Sequence, residues 1–141
     1  MPRQLREATK MAEATKVRDI MTADPMVTTP NATVEEAYTT MKRLGFRHMP
    51  VVDKGRLVGV ISTTDVGRLG STIPELMARL VAHAMTPDPL TIAPEATIEV
   101  AAAQMGSKKI NCLPVVSEER LIGIVTTYDL LDALVRRSAR V

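Results

Sequence analysis

The amino-acid sequence predicts an α/β (α+β) fold built from two pseudo-symmetric repeats, each with the element order β-α-β-β-α. The main observation is internal similarity, because Val17–Val66 aligns without a gap onto Val81–Leu130. About 19 of the 50 aligned positions are identical, whereas unrelated segments would share roughly one position in 15 to 20. In both copies, short apolar runs alternate with stretches of helical spacing. The chain therefore contains one structural unit twice.

The first strand and helix of repeat one are marked by their boundary residues. Met26–Thr28 predicts a short strand, which Pro30 ends. Thr33 and Glu36 have the spacing of a capping box, so a helix is predicted to begin there and to stop at Gly45. The apolar positions of this helix recur at helical spacing and are Val34, Ala37, Met41 and Leu44.

A hairpin and a second helix complete the repeat. Two apolar runs, Pro50–Val52 and Leu57–Ile61, predict strands on either side of the polar turn Asp53–Arg56. The next helix is predicted to begin near Thr63. Repeat two predicts the same elements in the same order.

The segment after this helix links the two repeats. Gly67–Thr72 predicts a loop, and Pro74–Val81 predicts a linker helix with proline in its first turn. The last helix of repeat two is predicted to run from about Thr127 into Arg136 and Arg137.

The domain organisation follows from these elements. We expect an N-terminal extension at 1–16, helical or disordered, then repeat one at 17–70, and the linker helix with repeat two at 71–141. Each repeat has about 50 residues, too few to bury a sheet well alone. We therefore expect the repeats to pack sheet to sheet as one structural module.

The composition limits the function. Of the 141 residues 45% are hydrophobic, but the aromatic residues are only Tyr38, Phe46 and Tyr128, so an aliphatic core is expected and any base-binding pocket would have to be mostly aliphatic. The net charge of +2 gives little reason to expect broad nucleic-acid binding. The single Cys112 excludes an internal disulfide, and no run approaches the roughly 20 apolar residues of a membrane span. Scattered charges in 1–16 argue against a signal peptide, so a cytoplasmic location is predicted.

One motif occurs at the same place in both repeats. Gly59–Asp65 and Gly123–Asp129 share a glycine, two aliphatic residues, a hydroxyl, two variable residues and an aspartate, where a strand meets a helix. Free N–H groups at a helix start favour phosphate, and a carboxylate can accept hydrogen bonds from both hydroxyls of a ribose. The same spacing also fits an ordinary capping box, which is the simpler interpretation of one copy. Two copies at matching places favour a nucleotide.

Four groups of residues, each echoed in repeat two, resemble those of cystathionine β-synthase (CBS) domains. They are Val17–Thr22, Pro30 with Ala32–Ala37, Met49–Asp53, and Gly59–Asp65. The resemblance covers about Val17 to Leu131 and identifies a tandem CBS pair, or Bateman module. It implies a stand-alone regulatory, energy-sensing module that is not an enzyme and requires no cofactor.

The resemblance also implies ligands and partners. Such pairs bind AMP, ADP, ATP or S-adenosylmethionine in two clefts between the repeats, and they often form flat, disc-shaped homodimers. The expected partners are an adenine nucleotide, a second copy, and an unidentified regulated protein, with neither a membrane nor nucleic acid. The alternative is an oligomerisation or protein-interaction module whose nucleotide sites are vestigial.

The family likeness further implies a crossed arrangement, in which each cleft combines the opening of one repeat with the hydroxyl-and-Asp motif of the other. The residues implied for the first cleft are Thr22, Met26, Val27 and Phe46 at the base, with Thr126 and Asp129 at the phosphate and ribose. Those implied for the second cleft are Thr86, Leu90, Thr91 and Ile110, with Ser62 and Asp65. Some members of the family draw more of a cleft from a single repeat, so both arrangements stay open.

The two clefts are expected to differ in charge. Repeat one has Arg47 and His48 where repeat two has Asn111 and Cys112. Members of the family often place basic residues here, which implies that the cleft with Asp65 takes the more highly phosphorylated ligand. The other cleft is expected to hold AMP, a nucleoside-like ligand, or nothing.

Other chemistry finds little support in the sequence. His48, His83 and Cys112 are too few and too scattered for a zinc cluster, so no metal site is predicted. No nucleophile has a base at recognisable spacing, so no catalytic residue is assigned. Cys112 is interpreted as a small buried packing residue.

Overall fold

The computed structural model describes residues 15–68 and 73–139, and these confirm an α/β fold with two sheets. The elements in chain order are α1 (Val17–Ile20), β1 (Thr22–Ala23), α2 (Val34–Leu44), β2 (His48–Asp53), β3 (Arg56–Ser62), α3 (Thr63–Arg68), α4 (Ile73–Met77), α5 (Val81–Ala84), β4 (Thr86–Pro87), α6 (Ile98–Lys108), β5 (Cys112–Ser117), β6 (Arg120–Thr126) and α7 (Thr127–Ala139). Residues 1–14 of the expected extension and 69–72 of the expected loop lie outside the described residues.

The described residues form two compact units, and these differ from the sequence repeats. Unit 1 contains residues 15–24, 90–118 and 122–139, and unit 2 contains 25–68, 73–89 and 119–121. Unit 1 thus combines the opening segment of repeat one with most of repeat two. Unit 2 combines the rest of repeat one with the opening segment of repeat two.

Unit 2 is built on the sheet β2-β3-β4. The hairpin β2–β3 is antiparallel, and the two-residue strand β4 adds to it through the pairs Gly59–Pro87 and Val60–Thr86. The turn of the hairpin has positive φ at Lys54 (50°) and Gly55 (81°), the backbone that a two-residue hairpin turn favours. Side chains from this sheet and from α2 to α5 form one apolar core. Its buried residues are Val34, Ala37, Met41, Met49, Val51, Ile61, Val66, Leu76, Val81 and Ala84.

Unit 1 repeats this plan with the sheet β1-β6-β5. The two-residue strand β1 pairs antiparallel with β6 through Thr22–Ile124 and Ala23–Gly123. The core is aliphatic, as the composition predicted. Its buried residues are Val17, Ile92, Ala101, Met105, Leu113, Val115 and Val125.

The helix boundaries predicted for repeat one are confirmed. Thr33 accepts a hydrogen bond from the Glu36 N–H at 3.2 Å, and the Glu36 carboxylate accepts one from the Thr33 N–H at 3.1 Å. This reciprocal pair begins α2. Gly45 ends the helix in the left-handed conformation (φ 80°), which glycine adopts without strain.

Two predicted elements are wrong. Met26–Thr28 is not a strand. Within this segment, which lies between Pro25 and Pro30, only Thr28 forms a β-bridge, to Val51. The linker helix expected at Pro74–Val81 is interrupted, and α4 and α5 are separate helices. The backbone around Leu80 bonds instead to the segment before α2, with Val34 N–H donating to the Arg79 carbonyl. Tertiary hydrogen bonds thus replace the expected helical ones.

A methionine fixes each short strand to a glycine of the facing hairpin. A Cβ placed on Gly59 would lie 2.5 Å from Met85 Sδ and 2.9 Å from the Thr86 carbonyl oxygen. A Cβ on Gly123 would lie 2.5 Å from Met21 Sδ and 3.0 Å from the Thr22 carbonyl oxygen. Both glycines therefore serve close approach of a neighbouring chain segment.

We predict that Gly59→Ala lowers the free energy of unfolding by about 1 to 3 kcal/mol, because the added methyl overlaps β4 and the methionine before it. Urea denaturation followed by circular dichroism measures this. The control is Gly67→Ala in α3, where a Cβ meets nothing within 4 Å and alanine favours a helix by up to about 1 kcal/mol. Equal stability of the two variants would contradict the proposed packing.

Candidate functional site

The hydroxyl-and-Asp motif of unit 2 lies where β3 leads into α3. The Ser62 N–H donates to Asp65 Oδ2 at 3.2 Å, and the Asp65 N–H donates to Ser62 Oγ at 3.0 Å. This is a reciprocal cap at the start of the helix, so the capping interpretation is confirmed for this copy. Ser62 is buried, with 8% of its surface exposed.

The motif of unit 1 has the same cap with one additional bond. Asp129 Oδ2 accepts from the Thr126 N–H at 2.8 Å, and the Asp129 N–H donates to Thr126 Oγ1 at 3.3 Å. The Thr126 hydroxyl also donates to Asp129 Oδ2 at 3.0 Å. The hydroxyl proton is thus used within this motif, whereas that of Ser62 has no acceptor among the described residues.

The caps leave one carboxylate oxygen of each aspartate unused. Only Oδ2 of Asp65 and Oδ2 of Asp129 accept hydrogen bonds from the described residues. An ionised carboxylate has about four acceptor positions. Each Oδ1 can therefore accept a hydrogen bond from a ligand hydroxyl while Oδ2 holds the helix start.

A threonine from the opening of the other repeat joins each motif. In unit 2, Thr86 pairs with Val60, two residues before Ser62. Facing residues of an antiparallel pair lie on the same side of the sheet, as do residues two apart in a strand. Thr86 therefore shares a sheet face with Ser62.

The other motif has the same arrangement. Thr22 is opposite Ile124, two residues before Thr126, so Thr22 and Thr126 share a sheet face in unit 1. Thr22 and Thr86 are both exposed.

The residues expected at the base belong to the other unit in each case. Met26 and Val27 are exposed (51% and 45%), and Phe46 is partly buried against the core of unit 2. The structure does not place them in the same unit as Thr22, Thr126 and Asp129.

The second set is divided in the same way. Leu90 is 41% exposed, Thr91 is exposed, and Ile110 packs against the core of unit 1. Ser62, Asp65 and Thr86 belong to unit 2. Each predicted set thus has its motif and the first threonine in one unit and the residues expected at the base in the other.

The basic pair of repeat one lies beside the motif of unit 2. His48 begins β2 and pairs with Ser62, while the Arg47 carbonyl accepts from the Thr63 N–H at 3.0 Å. Burial lowers the pKa of His48, and this outweighs the effect of Asp65, which raises it. His48 is therefore neutral at pH 7, and the exposed Arg47 supplies the permanent positive charge.

The matching positions in unit 1 carry no cation. The Thr127 N–H donates to the Asn111 carbonyl at 2.9 Å, and the Thr127 hydroxyl lies 3.3 Å from Asn111 Oδ1. Sequence reasoning missed this side-chain contact. Its one signal was the amide of Asn111 at the place of Arg47, since positions 63 and 127 are both threonine.

Cys112 is partly buried next to this motif. Burial and the negative charge of Asp129 raise the pKa of its thiol to about 12. The thiol is therefore protonated at neutral pH, which agrees with its interpretation as a packing residue. Among the described residues there is no group of three or more His, Cys, Asp or Glu side chains that could hold a metal ion.

We predict that Cys112 of the folded protein reacts slowly with 5,5′-dithiobis(2-nitrobenzoic acid) at pH 8, because the reactive thiolate is scarce. The thiolate forms near pH 8.5 in unfolded chains, so reaction should become fast in denaturant. Stability should also fall between about pH 9 and 12, because the stabilisation from a raised pKa is complete below the unfolded pKa and is lost as the pH rises through the folded pKa. Equal rates in the folded and unfolded states would contradict this assignment.

Comparison with known proteins adds to this geometry. The family model of the CBS domain matches residues 17–69 and 81–136. The chain belongs to the CBS-domain family. The two matches fall on the two repeats, so the predicted tandem CBS pair is confirmed. None of the helices in the described ranges is sufficiently long and apolar to cross a membrane.

Two curated relatives show how much of a protein this CBS pair represents. The chain is 33% identical over 118 residues to the uncharacterized protein YlbB of Bacillus subtilis, covering 82% of this chain and 80% of that protein. It is 38% identical over 125 residues to an inosine-5′-monophosphate dehydrogenase of Korarchaeum cryptofilum. That match covers 88% of this chain but 24% of the dehydrogenase. The chain thus corresponds to a minor part of that enzyme.

Two solved structures have the same fold and hold adenosine compounds. CBSX2 of Arabidopsis thaliana, in complex with AMP, has a TM-score of 0.76 and 29% identity, with 89% of this chain and 99% of that one covered. The CBS domain pair of protein MJ0100, in complex with 5′-methylthioadenosine and S-adenosyl-L-methionine, has a TM-score of 0.78 and 26% identity. That comparison covers 87% of this chain and 98% of the other.

Proposed function

We propose that this CBS pair is a regulatory module that binds adenosine-containing ligands through its two hydroxyl-and-Asp motifs. The observation that carries the proposal is the free Oδ1 of Asp65 and of Asp129, each beside a capped helix start. A carboxylate oxygen held in place by the cap accepts ribose hydroxyls at little entropic cost. The AMP and S-adenosylmethionine complexes of the two similar structures support the adenosine class.

The crossed arrangement stays part of this proposal. The sheet of unit 1 joins Thr22 to the motif of Thr126 and Asp129, and the sheet of unit 2 joins Thr86 to that of Ser62 and Asp65. This supports ligand contacts from the opening of one repeat and the motif of the other. The proposed base contacts are completed by one hydroxyl residue, Thr91, and by apolar residues, which are Met26, Val27, Phe46, Leu90 and Ile110.

The two sites differ in the ligand charge they favour. Arg47 and His48 stand beside the motif of Asp65, so this site takes ADP or ATP. Asn111 occupies the corresponding place in unit 1. Its carbonyl accepts a hydrogen bond from the Thr127 N–H, and its side chain carries no positive charge. That site takes AMP or a nucleoside-like ligand.

The module itself performs no catalysis in this proposal. The polar groups of the motifs hold helix starts, and no described nucleophile is activated by a neighbouring base. Ligand occupancy acts instead by shifting the populations of two conformations, which an unidentified regulated protein detects. The alternative, an interaction module with vestigial sites, is favoured by the exposed apolar side chains of α7, which are Tyr128, Leu131, Leu134 and Val135.

We predict that one of AMP, ADP, ATP, NAD and S-adenosylmethionine raises the thermal midpoint of the wild type. A ligand at 100 times its dissociation constant stabilises the folded state by about 2.7 kcal/mol. Asp65→Asn and Asp129→Asn each test one site, because asparagine keeps an oxygen for the cap but removes the charge. One of them should abolish the shift.

The matched control is Glu36→Gln, which changes a capping carboxylate of α2 outside both motifs. It should leave the ligand-induced shift unchanged. If no ligand shifts the wild type at millimolar concentration, the aspartates are caps alone and the interaction-module alternative stands.

We predict that the affinity for ADP or ATP rises as the pH falls from 8 to 6. The pKa of His48 is lowered in the free protein, and a bound phosphate raises it again, so binding takes up a proton. A rise of one unit would strengthen binding by roughly tenfold. Isothermal titration calorimetry measures this, and His48→Gln corrects for titration of the phosphate itself. An equal pH dependence in the variant would contradict a role for His48.

A further inference from the structure

The two methionines that precede the exchanged strands lie at the edges of the two cores. Met21 directly precedes β1 and Met85 directly precedes β4, at matching positions of the two repeats. Met21 packs against the core of unit 1 and Met85 against the core of unit 2. Both residues remain partly exposed. Each side chain thus combines a packing role with partial access to solvent.

The contact between each sulfur and its hairpin glycine leaves little room for an added atom. A Cβ on Gly59 or on Gly123 would lie 2.5 Å from the methionine sulfur and 3.0 or 3.1 Å from the methionine Cγ. An oxygen bonded to the sulfur is polar and needs a hydrogen-bond donor, which an apolar contact does not supply. We therefore expect an oxidised side chain to leave this contact.

The strands that follow these methionines are attached by few interactions. β1 and β4 have two residues each and join their sheets through two residue pairs each. Pairing of this length adds little stability by itself, so such segments open locally far more often than the whole protein unfolds. Each opening gives a small oxidant in solution access to the methionine sulfur.

The other described methionines lack this combination of partial exposure and attachment to a short strand. Met41, Met49 and Met105 are buried in the cores, with at most 5% of their surface exposed. Met26 is 51% exposed and Met77 is partly exposed, but neither directly precedes β1 or β4. Oxidation of these two residues would leave both short strands in place.

We propose that Met21 and Met85 are sites of reversible oxidation by hydrogen peroxide, and that their sulfoxides release β1 and β4 from the facing hairpins. A lone pair of the thioether sulfur attacks one oxygen of the peroxide. The S–O bond forms as the O–O bond breaks, the sulfur gives up two electrons, and the other oxygen leaves as water with both protons. Methionine sulfoxide reductases reverse the change with electrons from thiols.

One consequence of this inference rests on the proposed function. Each short strand begins with a threonine, Thr22 or Thr86, that shares a sheet face with a hydroxyl-and-Asp motif. Release of the strand withdraws this hydroxyl from the proposed site, so oxidation weakens ligand binding. The release itself is measured without any ligand and does not depend on nucleotide binding.

Amide hydrogen exchange of the full chain, measured by NMR before and after treatment with hydrogen peroxide, tests the proposal. The Asp24 and Asp88 amides are the reporters, because each donates to a carbonyl of the facing hairpin at 3.1 Å. Their exchange should become at least tenfold faster after oxidation. The Gly45 amide, which bonds within the end of α2, should keep its rate.

Leucine variants show whether these two sulfurs are responsible. Met21→Leu combined with Met85→Leu nearly keeps the side-chain volume and removes the reactive sulfurs, so peroxide should leave the reporter amides unchanged. Each single variant should protect only the reporter of its own strand. The matched control is Met26→Leu, which removes an exposed sulfur and should respond to peroxide as the wild type does. Circular dichroism checks that the variants fold.

Reduction of the oxidised wild type should restore slow exchange at both reporters. The reduction uses methionine sulfoxide reductases of both stereospecificities with dithiothreitol, because oxidation produces two sulfoxide epimers.

Three results would overturn the proposal. The first is peptide mass spectrometry that finds Met21 and Met85 unoxidised where Met26 is fully oxidised. The second is unchanged exchange at both reporters although these methionines are oxidised, and the third is equally accelerated exchange in the double leucine variant. A protein that binds no adenosine ligand in either form would contradict the nucleotide sites alone, since the exchange rates still decide this proposal.

Discussion

The structure depends on the exchange of two short strands between the repeats. β1 lies on the hairpin of repeat two and β4 on that of repeat one, each through two residue pairs. Gly123 and Gly59 make this possible, because a side chain there would occupy the space of Met21 and Met85. Neither unit contains a complete repeat, so each sheet is finished by the other repeat. The internal duplication thus produces two similar units, each made of most of one repeat and the opening segment of the other.

This exchange also explains the composition of the candidate sites. Each short strand carries a threonine at its first position, and each pairs two residues before a motif hydroxyl. The threonine and the motif come from different repeats but share one sheet face. A change that removed either short strand would therefore remove a polar group from a site as well as a strand from a sheet.

In the proposed sites the aspartates have two roles, helix capping and ligand binding. Asp65 and Asp129 cap helices with Oδ2, and the caps fix the carboxylates in position. A fixed carboxylate loses little conformational freedom when a ribose binds. Structural capping and ligand binding are therefore compatible, and the cap prepares the site.

Much of the fold was predictable because local signals agree with the final structure. Thr33, Glu36 and Gly45 fix the ends of α2 by interactions within a few residues. The break between α4 and α5 was not predictable, since it depends on hydrogen bonds to the segment before α2, distant in sequence. The motifs were visible as a repeated pattern, but the crossing of the repeats came from family resemblance. An apolar groove between α6 and α7 was missed, although the alignment of the small Ala102 with the large Tyr38 indicated open space there.

The crystal structure of the chain grown with AMP is the measurement that tests the central claim most directly. The account predicts that both ribose hydroxyls lie about 3 Å from the Oδ1 atom of Asp65 or Asp129. It also predicts that the cap through Oδ2 stays intact. AMP bound with its ribose away from both aspartates, or absent from crystals grown at saturating concentration, would contradict the assignment.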